Sequence, residues 1–108
     1  MTLPQISVKD LDEGRRRGEP IRLIDCREPW ENEHVCLEDS TLIPMNDTPA
    51  HLDELRAMEG QLVVYCHHGV RSMQVVQWLR AQGLEDVLSL AGGIDAWSLE
   101  VDPSLLRY

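Results

Sequence analysis

Residues 61–72, QLVVYCHHGVRS, join an apolar run to a segment with helical patterning. The run QLVVYC has the length and β-branched composition of a buried strand, and we expect it at the centre of a sheet. From Ser72 onward, Val75, Val76 and Leu79 fall on one helical stripe that Gly83 ends, which predicts a helix of about three turns. A strand that leads directly into a helix is the repeating unit of an α/β fold.

The same alternation of apolar runs and helical patterns continues through the rest of the chain. Strands are predicted within residues 4–8, 21–27, 41–45, 61–66 and 86–93, with helical segments between them and a last helix after them. Short strands separated by helices favour parallel pairing. We therefore expect the α/β class: a single domain over residues 1–108, with a mostly parallel five-stranded sheet and helices on both faces.

Local signals set the expected helix ends. Ser7 is a candidate N-cap for the first helix, which Gly14 or Gly18 ends. Thr48 followed by Pro49 repeats the pattern of a cap and a proline, and Ser72 is the expected cap of the helix after the central strand.

Composition excludes several classes of function. The 108 residues carry a formal net charge of -9, which opposes attraction to nucleic acid or to anionic lipid. The sequence contains neither a long apolar span nor a signal peptide, so we expect no membrane association. Three cysteines, at positions 26, 36 and 66, lack CxxC spacing and favour the reducing cytoplasm.

The loop after the central strand has the features of a nucleophilic site. In an open parallel sheet, ligands bind at the carboxyl ends of the strands, and Cys66 ends the central strand. The backbone amides from His67 to Ser72 can curl around the sulfur of Cys66, and Gly69 permits the tight turn. Arg71 and the following helix dipole favour the thiolate. We predict a reactive, partly exposed nucleophile.

The spacing within the loop limits the chemistry. Four residues separate Cys66 from Arg71, whereas cysteine-dependent phosphatases have five at this point. The smaller ring suits one sulfur atom better than a phosphoryl group. A metal site is not expected, because Cys66, His67 and His68 are too close in sequence to converge on one ion, and no cofactor is predicted.

Three separated motifs resemble those of the rhodanese-like domain, a sulfurtransferase family. The loop CHHGVRS resembles the active-site signature of that family in its six-residue form, which is associated with sulfur transfer. LIDCREPWE is similar to an aspartate-x-arginine-glutamate stretch, and LAGGIDAW to a closing block of two glycines and a tryptophan. The resemblance covers nearly the whole chain.

The resemblance also has departures. When Ile43-Pro44 are aligned with the family, Cys36 stands where a histidine is common; aligning His34 instead needs a gap. Glu38-Asp39 replace a common proline-glycine pair, so Asp39 is expected to adopt the left-handed backbone. Cys26 replaces an aliphatic residue and is interpreted as a small core residue.

The resemblance implies a mechanism in which the Cys66 thiolate attacks the outer sulfur of thiosulfate or of a persulfide donor. A nucleophilic acceptor then takes that sulfur from the enzyme persulfide. The implied binding loop comprises His67, His68, Gly69, Val70, Arg71 and Ser72. Arg71, with His67 or His68, would hold the anionic part of the donor, and Asp25 and Arg27 would support the loop.

The resemblance also bears on partners. The ending WSLEVDPSLLRY is similar to rhodanese domains fused to adenylyltransferases that activate sulfur carriers. A protein persulfide donor or a sulfur-carrier acceptor is therefore considered beside small anionic donors. Three alternatives stay open: a non-catalytic binding module of the same fold, a cysteine phosphatase or arsenate reductase, and a redox variant in which Cys26 or Cys36 resolves a modified Cys66.

Overall fold

The computed structural model describes residues 3–108 and contains one five-stranded, all-parallel sheet in the order β1-β5-β4-β2-β3. The strands are β1 Gln5–Ile6, β2 Ile21–Asp25, β3 Ser40–Leu42, β4 Gln61–Tyr65 and β5 Leu88–Leu90. The helices are α1 Val8–Arg16, α2 Pro29–His34, α3 Leu52–Ala57, α4 Val70–Ala81 and α5 Gly93–Glu100, with a 3-10 helix at Met45–His51. The predicted fold class is confirmed, and β4 is the central strand.

Helices cover both faces of the sheet, so each face has its own apolar cluster. On one face, α3 and α4 pack Leu55, Val76 and Leu79 against the sheet. On the other face, α1 and α5 pack Leu11 and Trp97. Because β4 contributes buried side chains to both clusters, its continuous apolar run is explained by burial on two sides.

The predicted start of α1 is confirmed. The Ser7 hydroxyl accepts a hydrogen bond from the amide of Asp10 at 3.1 Å, as an N-cap does. Gly14 lies inside the helix, and Gly18 follows its end with a φ of 76°. Pro29 occupies the first turn of α2, where its missing N–H leaves no helical bond unmade.

Thr48 does not cap a helix, contrary to the prediction. The amide of Asp47 donates to the carbonyl of Pro44 at 2.8 Å, so the 3-10 helix is already under way before Thr48 is reached. The Thr48 side chain is buried, and its hydroxyl finds no hydrogen-bond partner among residues 3–108. The α-helical stretch begins only at Leu52.

Ser72 also lies inside its helix instead of capping it. The N-cap of α4 is Gly69, whose φ of 104° is accessible to glycine with little strain. The Ser72 hydroxyl donates to the Gly69 carbonyl at 3.2 Å and lies 2.7 Å from the Ser89 hydroxyl. Ser72 therefore ties the first turn of α4 to β5.

At the turn before β3, Asp39 adopts the left-handed backbone that was expected of it, with a φ of 63°. β3 is an edge strand and ends at Leu42, two residues before Pro44, which is a residue typical of strand edges and ends. Within residues 3–108, none of the helices combines the length and apolar composition needed to cross a bilayer.

Candidate active site

Cys66 lies between the end of β4 and the first turn of α4, at the carboxyl edge of the sheet. Its sulfur accepts hydrogen bonds from the amides of Gly69 at 3.1 Å and Ser72 at 3.3 Å. The Ser72 hydroxyl lies 3.5 Å from the same sulfur. Of the loop amides from His67 to Ser72, those of Gly69 and Ser72 therefore donate to the Cys66 sulfur in the described structure.

The prediction of a partly exposed Cys66 is wrong, because the residue is only 1% exposed. Its side chain packs in the apolar cluster that α3 and α4 cover, and α5 holds the backbone of the loop. The amide of Ile94 donates to the Cys66 carbonyl at 3.0 Å, and the amide of Asp95 donates to the His67 carbonyl at 3.1 Å. A Cβ at Gly93 would lie 2.5 Å from the Cys66 carbonyl oxygen, so only glycine allows α5 to approach the loop this closely.

Cys26 is the neighbour with the largest effect on the candidate nucleophile. It follows β2 directly, is 1% exposed and belongs to the same apolar cluster as Cys66. A hydrogen bond from the Cys26 thiol lowers the pKa of Cys66 to about 4, with the Ser72 hydroxyl, the Ser72 amide and the Gly69 amide acting in the same direction against burial. The same contact, together with burial, raises the pKa of Cys26. Cys26 is a core residue, as predicted, and also a partner of Cys66.

Arg71 is not a free cation beside the loop. Its two terminal nitrogens bind the two carboxylate oxygens of Glu31 at 2.7 and 3.0 Å. Glu31 lies in α2 and is 3% exposed. The hydrogen bonds from Arg71 lower the pKa of Glu31 to about 2, with help from Tyr108 and from the amide of Glu28 and against the effect of burial. The charge of Arg71 is therefore already compensated.

Asp25 and Arg27 form an ion pair, and both side chains are fully buried. The Arg27 guanidinium donates to Asp25 at 2.7 and 2.8 Å and to the Val35 carbonyl at 2.7 Å. Its remaining terminal nitrogen donates to the Tyr108 hydroxyl at 2.9 Å. The pair thus contacts the segment after α2 and the end of the chain, and the expected contact with the loop is indirect.

Tyr108 completes this connection. Its hydroxyl donates to Glu31 at 2.5 Å, so a chain of hydrogen bonds runs from Arg27 through Tyr108 and Glu31 to Arg71. Its ring stacks on His67 at 3.9 Å with an interplanar angle of 6°. Burial, followed by the hydrogen bond to the Glu31 carboxylate, raises the pKa of Tyr108 to about 12.

The two histidines of the loop stack on each other at 3.9 Å. Burial, followed by the nearby His68, lowers the pKa of His67, and its Nε2 atom has no hydrogen-bond partner among the described residues. His68 is exposed and lies 3.7 Å from Asp95. The lowered pKa makes His67 a weaker source of positive charge for an anion, and its ring stacks on those of Tyr108 and His68.

Potential metal-ligand atoms of His67, His68 and Asp95 lie within 4.8 Å of one another. Cys66 is not a member of this group. Asp95 is already engaged by Arg107 at 2.8 Å, which also lowers the pKa of the carboxyl group. Metal binding here would have to compete with that ion pair.

The surroundings of the loop include exposed apolar side chains. Val70 is 70% exposed and Trp30, in α2, is 61% exposed, with its ring 5.9 Å from the Tyr108 ring. The cavity of about 480 Å³ near α1 and α5 lies elsewhere, with Cys36 and Trp97 in its lining. The Cys66 sulfur is therefore buried, while apolar side chains near the loop are exposed.

A parallel α/β sheet whose central strand ends in a cysteine, with loop amides donating to the cysteine sulfur, is the arrangement that the structure shows. The chain belongs to the rhodanese-like domain family, which residues 7–100 match.

Relatives agree with this assignment. The chain is 33% identical over 94 residues to a sulfurtransferase of Allochromatium vinosum, covering 87% of each chain. It is 30% identical over 105 residues to the probable adenylyltransferase/sulfurtransferase MoeZ of Mycobacterium tuberculosis, covering 95% of this chain and 26% of MoeZ. A rhodanese-related protein of Thermoplasma volcanium superposes with a TM-score of 0.77 at 27% identity, covering 96% of this chain and 98% of the other. Some relatives are much longer than this chain. In one further relative, the chain covers 30% of the length.

Sequence reasoning missed Glu31 and Tyr108 as neighbours of the site. Glu31 had a detectable signal, because it stands three residues after Glu28, and its side chain accepts a hydrogen bond from the Glu28 amide at 3.1 Å. That signal predicts a helix start and gives no hint of Arg71. Tyr108 had no local signal, since its partners are 77 and 81 residues away in sequence.

Proposed function

We propose that this protein is a sulfurtransferase that carries a sulfane sulfur on Cys66. The most direct support comes from the Cys66 sulfur, which accepts hydrogen bonds from two loop amides. The pKa of Cys66 is lowered to about 4. Such a sulfur is a thiolate at neutral pH and is ready to attack. The relatives named as sulfurtransferases support the same reaction class.

The first half-reaction loads the enzyme. The Cys66 thiolate attacks the outer sulfur of thiosulfate or of a persulfide, forming a sulfur–sulfur bond. The bond between that outer sulfur and the donor breaks, and sulfite or a thiolate leaves with the electron pair. The loop amides stabilise the negative charge on the resulting persulfide.

The second half-reaction discharges the enzyme. A thiophilic acceptor, such as cyanide or a thiolate, attacks the outer sulfur and takes it. The Cys66 thiolate is the leaving group and returns to its resting state. The two steps are balanced without a metal or a cofactor.

In this proposal, residues His67 to Ser72 form the binding loop, and Arg71 attracts the anionic part of the donor. The ion pair with Glu31 weakens that attraction, and the formal net charge of -9 adds nothing to it. These charges favour a donor that binds through a protein surface over a small anion that depends on the Arg71 charge. We therefore propose a protein persulfide as the donor or a sulfur carrier as the acceptor, which would contact the exposed side chains of Trp30 and Val70.

The test is persulfide formation. The reduced protein is incubated with thiosulfate, separated from it and weighed by intact mass spectrometry before and after addition of cyanide. One added sulfur that cyanide removes is expected for the wild type and for Cys36→Ala, whose side chain is exposed. No adduct is expected on Cys66→Ala. Equal adducts on wild type and Cys66→Ala would refute the proposal.

Further assays distinguish a sulfurtransferase from a phosphatase and from a binding module. A phosphatase would hydrolyse an aryl phosphate at a rate comparable with sulfur transfer, which the four-residue spacing between Cys66 and Arg71 opposes. A binding module would retain its partner and its cellular phenotype in Cys66→Ser. If the protein is a sulfurtransferase, Cys66→Ser should lose the cellular phenotype.

A further inference from the structure

Cys26 and Cys66 lie side by side at the carboxyl ends of two paired strands. β2 and β4 pair in parallel with Asp25 opposite Tyr65, and the Cys26 amide donates to the Tyr65 carbonyl at 3.1 Å. The next residue on each strand is a cysteine. Neighbouring strands are about 4.8 Å apart, whereas a disulfide spans Cα atoms about 4.4–6.8 Å apart. The usual spacing of paired strands therefore falls within the range that a disulfide spans.

The side chains also point to the same face of the sheet. Both cysteines belong to the apolar cluster that α3 and α4 cover, together with Ile24 and Val64, which stand two residues earlier on each strand. The two thiols also affect each other electrostatically, since Cys26 is the largest cause of the lowered pKa of Cys66 and Cys66 is the largest cause of the raised pKa of Cys26. Packing alone does not require sulfur at position 26, since an aliphatic side chain would fill a core position equally well.

The two sulfurs are in different protonation states at rest. The loop amides favour the thiolate on Cys66, while Cys26 stays a protonated thiol because an anion lies beside it. Two reduced sulfurs do not react with each other. The two sulfurs can react only after Cys66 has been converted to a form in which its Sγ atom is electrophilic, such as the persulfide.

We propose that Cys26 is a resolving thiol, which discharges an outer sulfur from Cys66 and leaves a Cys26–Cys66 disulfide. The Cys26 sulfur attacks the Cys66 Sγ atom, and a bond forms between them. The bond between Cys66 and the outer sulfur breaks, and the outer sulfur leaves with the electron pair and takes the Cys26 proton, so that hydrosulfide is released. The two cysteine sulfurs are oxidised and the sulfane sulfur is reduced, so no further oxidant is needed.

This inference rests on the proposed persulfide at Cys66. It adds a second outcome to the reaction. A persulfide that meets no acceptor releases sulfide, and the protein remains oxidised as the Cys26–Cys66 disulfide. A low-molecular-weight or protein thiol then restores Cys66 by thiol–disulfide exchange. Cys36 does not qualify for this role, because it is exposed and lines the cavity beside Trp97, on the other face of the sheet.

The experiment follows the loaded protein with time. Wild-type protein is treated with thiosulfate, freed of excess donor without reductant, and sampled by intact mass, by peptide mapping and by a sulfide assay. We expect the added sulfur to disappear as sulfide is released, and a species lighter by two hydrogen atoms to replace it. Peptide mapping should place the new bond between Cys26 and Cys66.

Matched variants assign the chemistry. Cys36→Ser should behave as the wild type does, whereas Cys26→Ser and Cys26→Val should keep the added sulfur several-fold longer and form no disulfide. Cys26→Val retains an apolar side chain in the core, and circular dichroism checks that each variant is folded. Equal lifetimes of the added sulfur in wild type and both Cys26 variants, or the absence of the Cys26–Cys66 peptide, would overturn the proposal.

A second arm separates this inference from the proposed function. Dilute peroxide converts the Cys66 thiolate to a sulfenic acid, and attack by Cys26 then releases water instead of sulfide. If thiosulfate adds no sulfur but peroxide yields the Cys26–Cys66 disulfide, the proposed function fails while the resolving role stands. If sulfur is added and neither arm gives the disulfide, the proposed function stands and Cys26 is not a resolving thiol.

Discussion

Glu31 binds both terminal nitrogens of Arg71, at 2.7 and 3.0 Å, across 40 residues of sequence. A bidentate pair of this kind holds the guanidinium in one orientation. It also offsets the positive charge that an anionic sulfur donor would meet. Glu31 therefore positions Arg71 and at the same time weakens its attraction for small anions.

Replacing Glu31 should separate these two effects. Glu31→Gln removes the negative charge, and we expect the free energy of unfolding to fall by about 1–3 kcal/mol because Arg71 loses its ionic partner. The KM for thiosulfate should fall several-fold because the Arg71 charge is no longer compensated. Urea denaturation and steady-state sulfur transfer measure the two quantities.

Glu33→Gln is the matched control, since Glu33 is an exposed residue of the same helix and the change in net charge is identical. It should alter neither quantity appreciably. A KM that rises in Glu31→Gln would show that the carboxylate helps to bind the donor.

The pKa of Cys66, about 4 against an ordinary value of 9.0, predicts the pH dependence of the nucleophile. The thiolate should persist across the neutral range and be lost only as the pH falls through about 4. The ultraviolet absorbance of the thiolate, taken as the difference between wild type and Cys66→Ser, should therefore be level between about pH 6 and 8. An absorbance that rises steadily up to pH 9 would contradict the lowered pKa.

The same lowered pKa links stability to pH. Between about 4 and 9.0 the unfolded chain binds a proton at Cys66 that the folded protein does not. The contribution of Cys66 to stability is therefore fully present above pH 9.0 and is lost as the pH falls through about 4. Relative to Cys66→Ser, the wild type should gain stability as the pH rises across this interval, measured by urea denaturation at several pH values.

Gly93 should tolerate no side chain. A Cβ there would lie 2.5 Å from the Cys66 carbonyl oxygen, and φ is 61°. We expect Gly93→Ala to lower the free energy of unfolding by more than about 2 kcal/mol and to slow persulfide loading, because α5 must move away from the loop.

Gly18→Ala tests the backbone strain alone. Gly18 has a φ of 76°, and a Cβ added there would meet no other atom within 4 Å among the residues that the structure describes. Its cost should be about 1–2 kcal/mol, with persulfide loading unaffected. Equal losses of stability and loading in the two variants would mean that the close approach of Gly93 is unimportant.

Tyr108→Phe should reveal the value of the hydroxyl group that joins Arg27 to Glu31. The ring can still stack on His67, but one nitrogen of a fully buried guanidinium loses its partner. We expect a loss of about 1–2 kcal/mol in stability and an upward shift in the pKa of Glu31. Thermal unfolding as a function of pH measures both. Tyr108→Ala, which also removes the stack, should be less stable than Tyr108→Phe; equal stability would show that the stack contributes nothing.

Much of the architecture was predictable because its signals are local. The apolar run of β4, the Ser7 cap and Pro29 at the start of α2 each depend on a few consecutive residues. The two wrong caps have local causes as well. Gly69 can adopt a positive φ and starts α4 before Ser72 is reached, and the turn at Asp47 starts the 3-10 helix before Thr48.

The candidate site was predictable only in part. The loop around Cys66 could be read from sequence because its amides follow the cysteine directly in the chain. Its burial could not, since Cys66 packs against residues that are distant in sequence, such as Cys26 and Ile43. The compensation of Arg71 and the contact with Cys26 were likewise beyond local reasoning.

The sequence by itself determined the alternation of strands and helices, the cysteine at the end of the central strand and the length of the loop. Hydrophobic periodicity and turn chemistry act between near neighbours, so they can be recognised without a structure. Tertiary structure alone decided that β2 pairs with β4, which sets Cys26 beside Cys66, and that α2 brings Glu31 to Arg71. Strand order and helix packing minimise the exposed apolar surface of the whole chain, and no short segment carries that information.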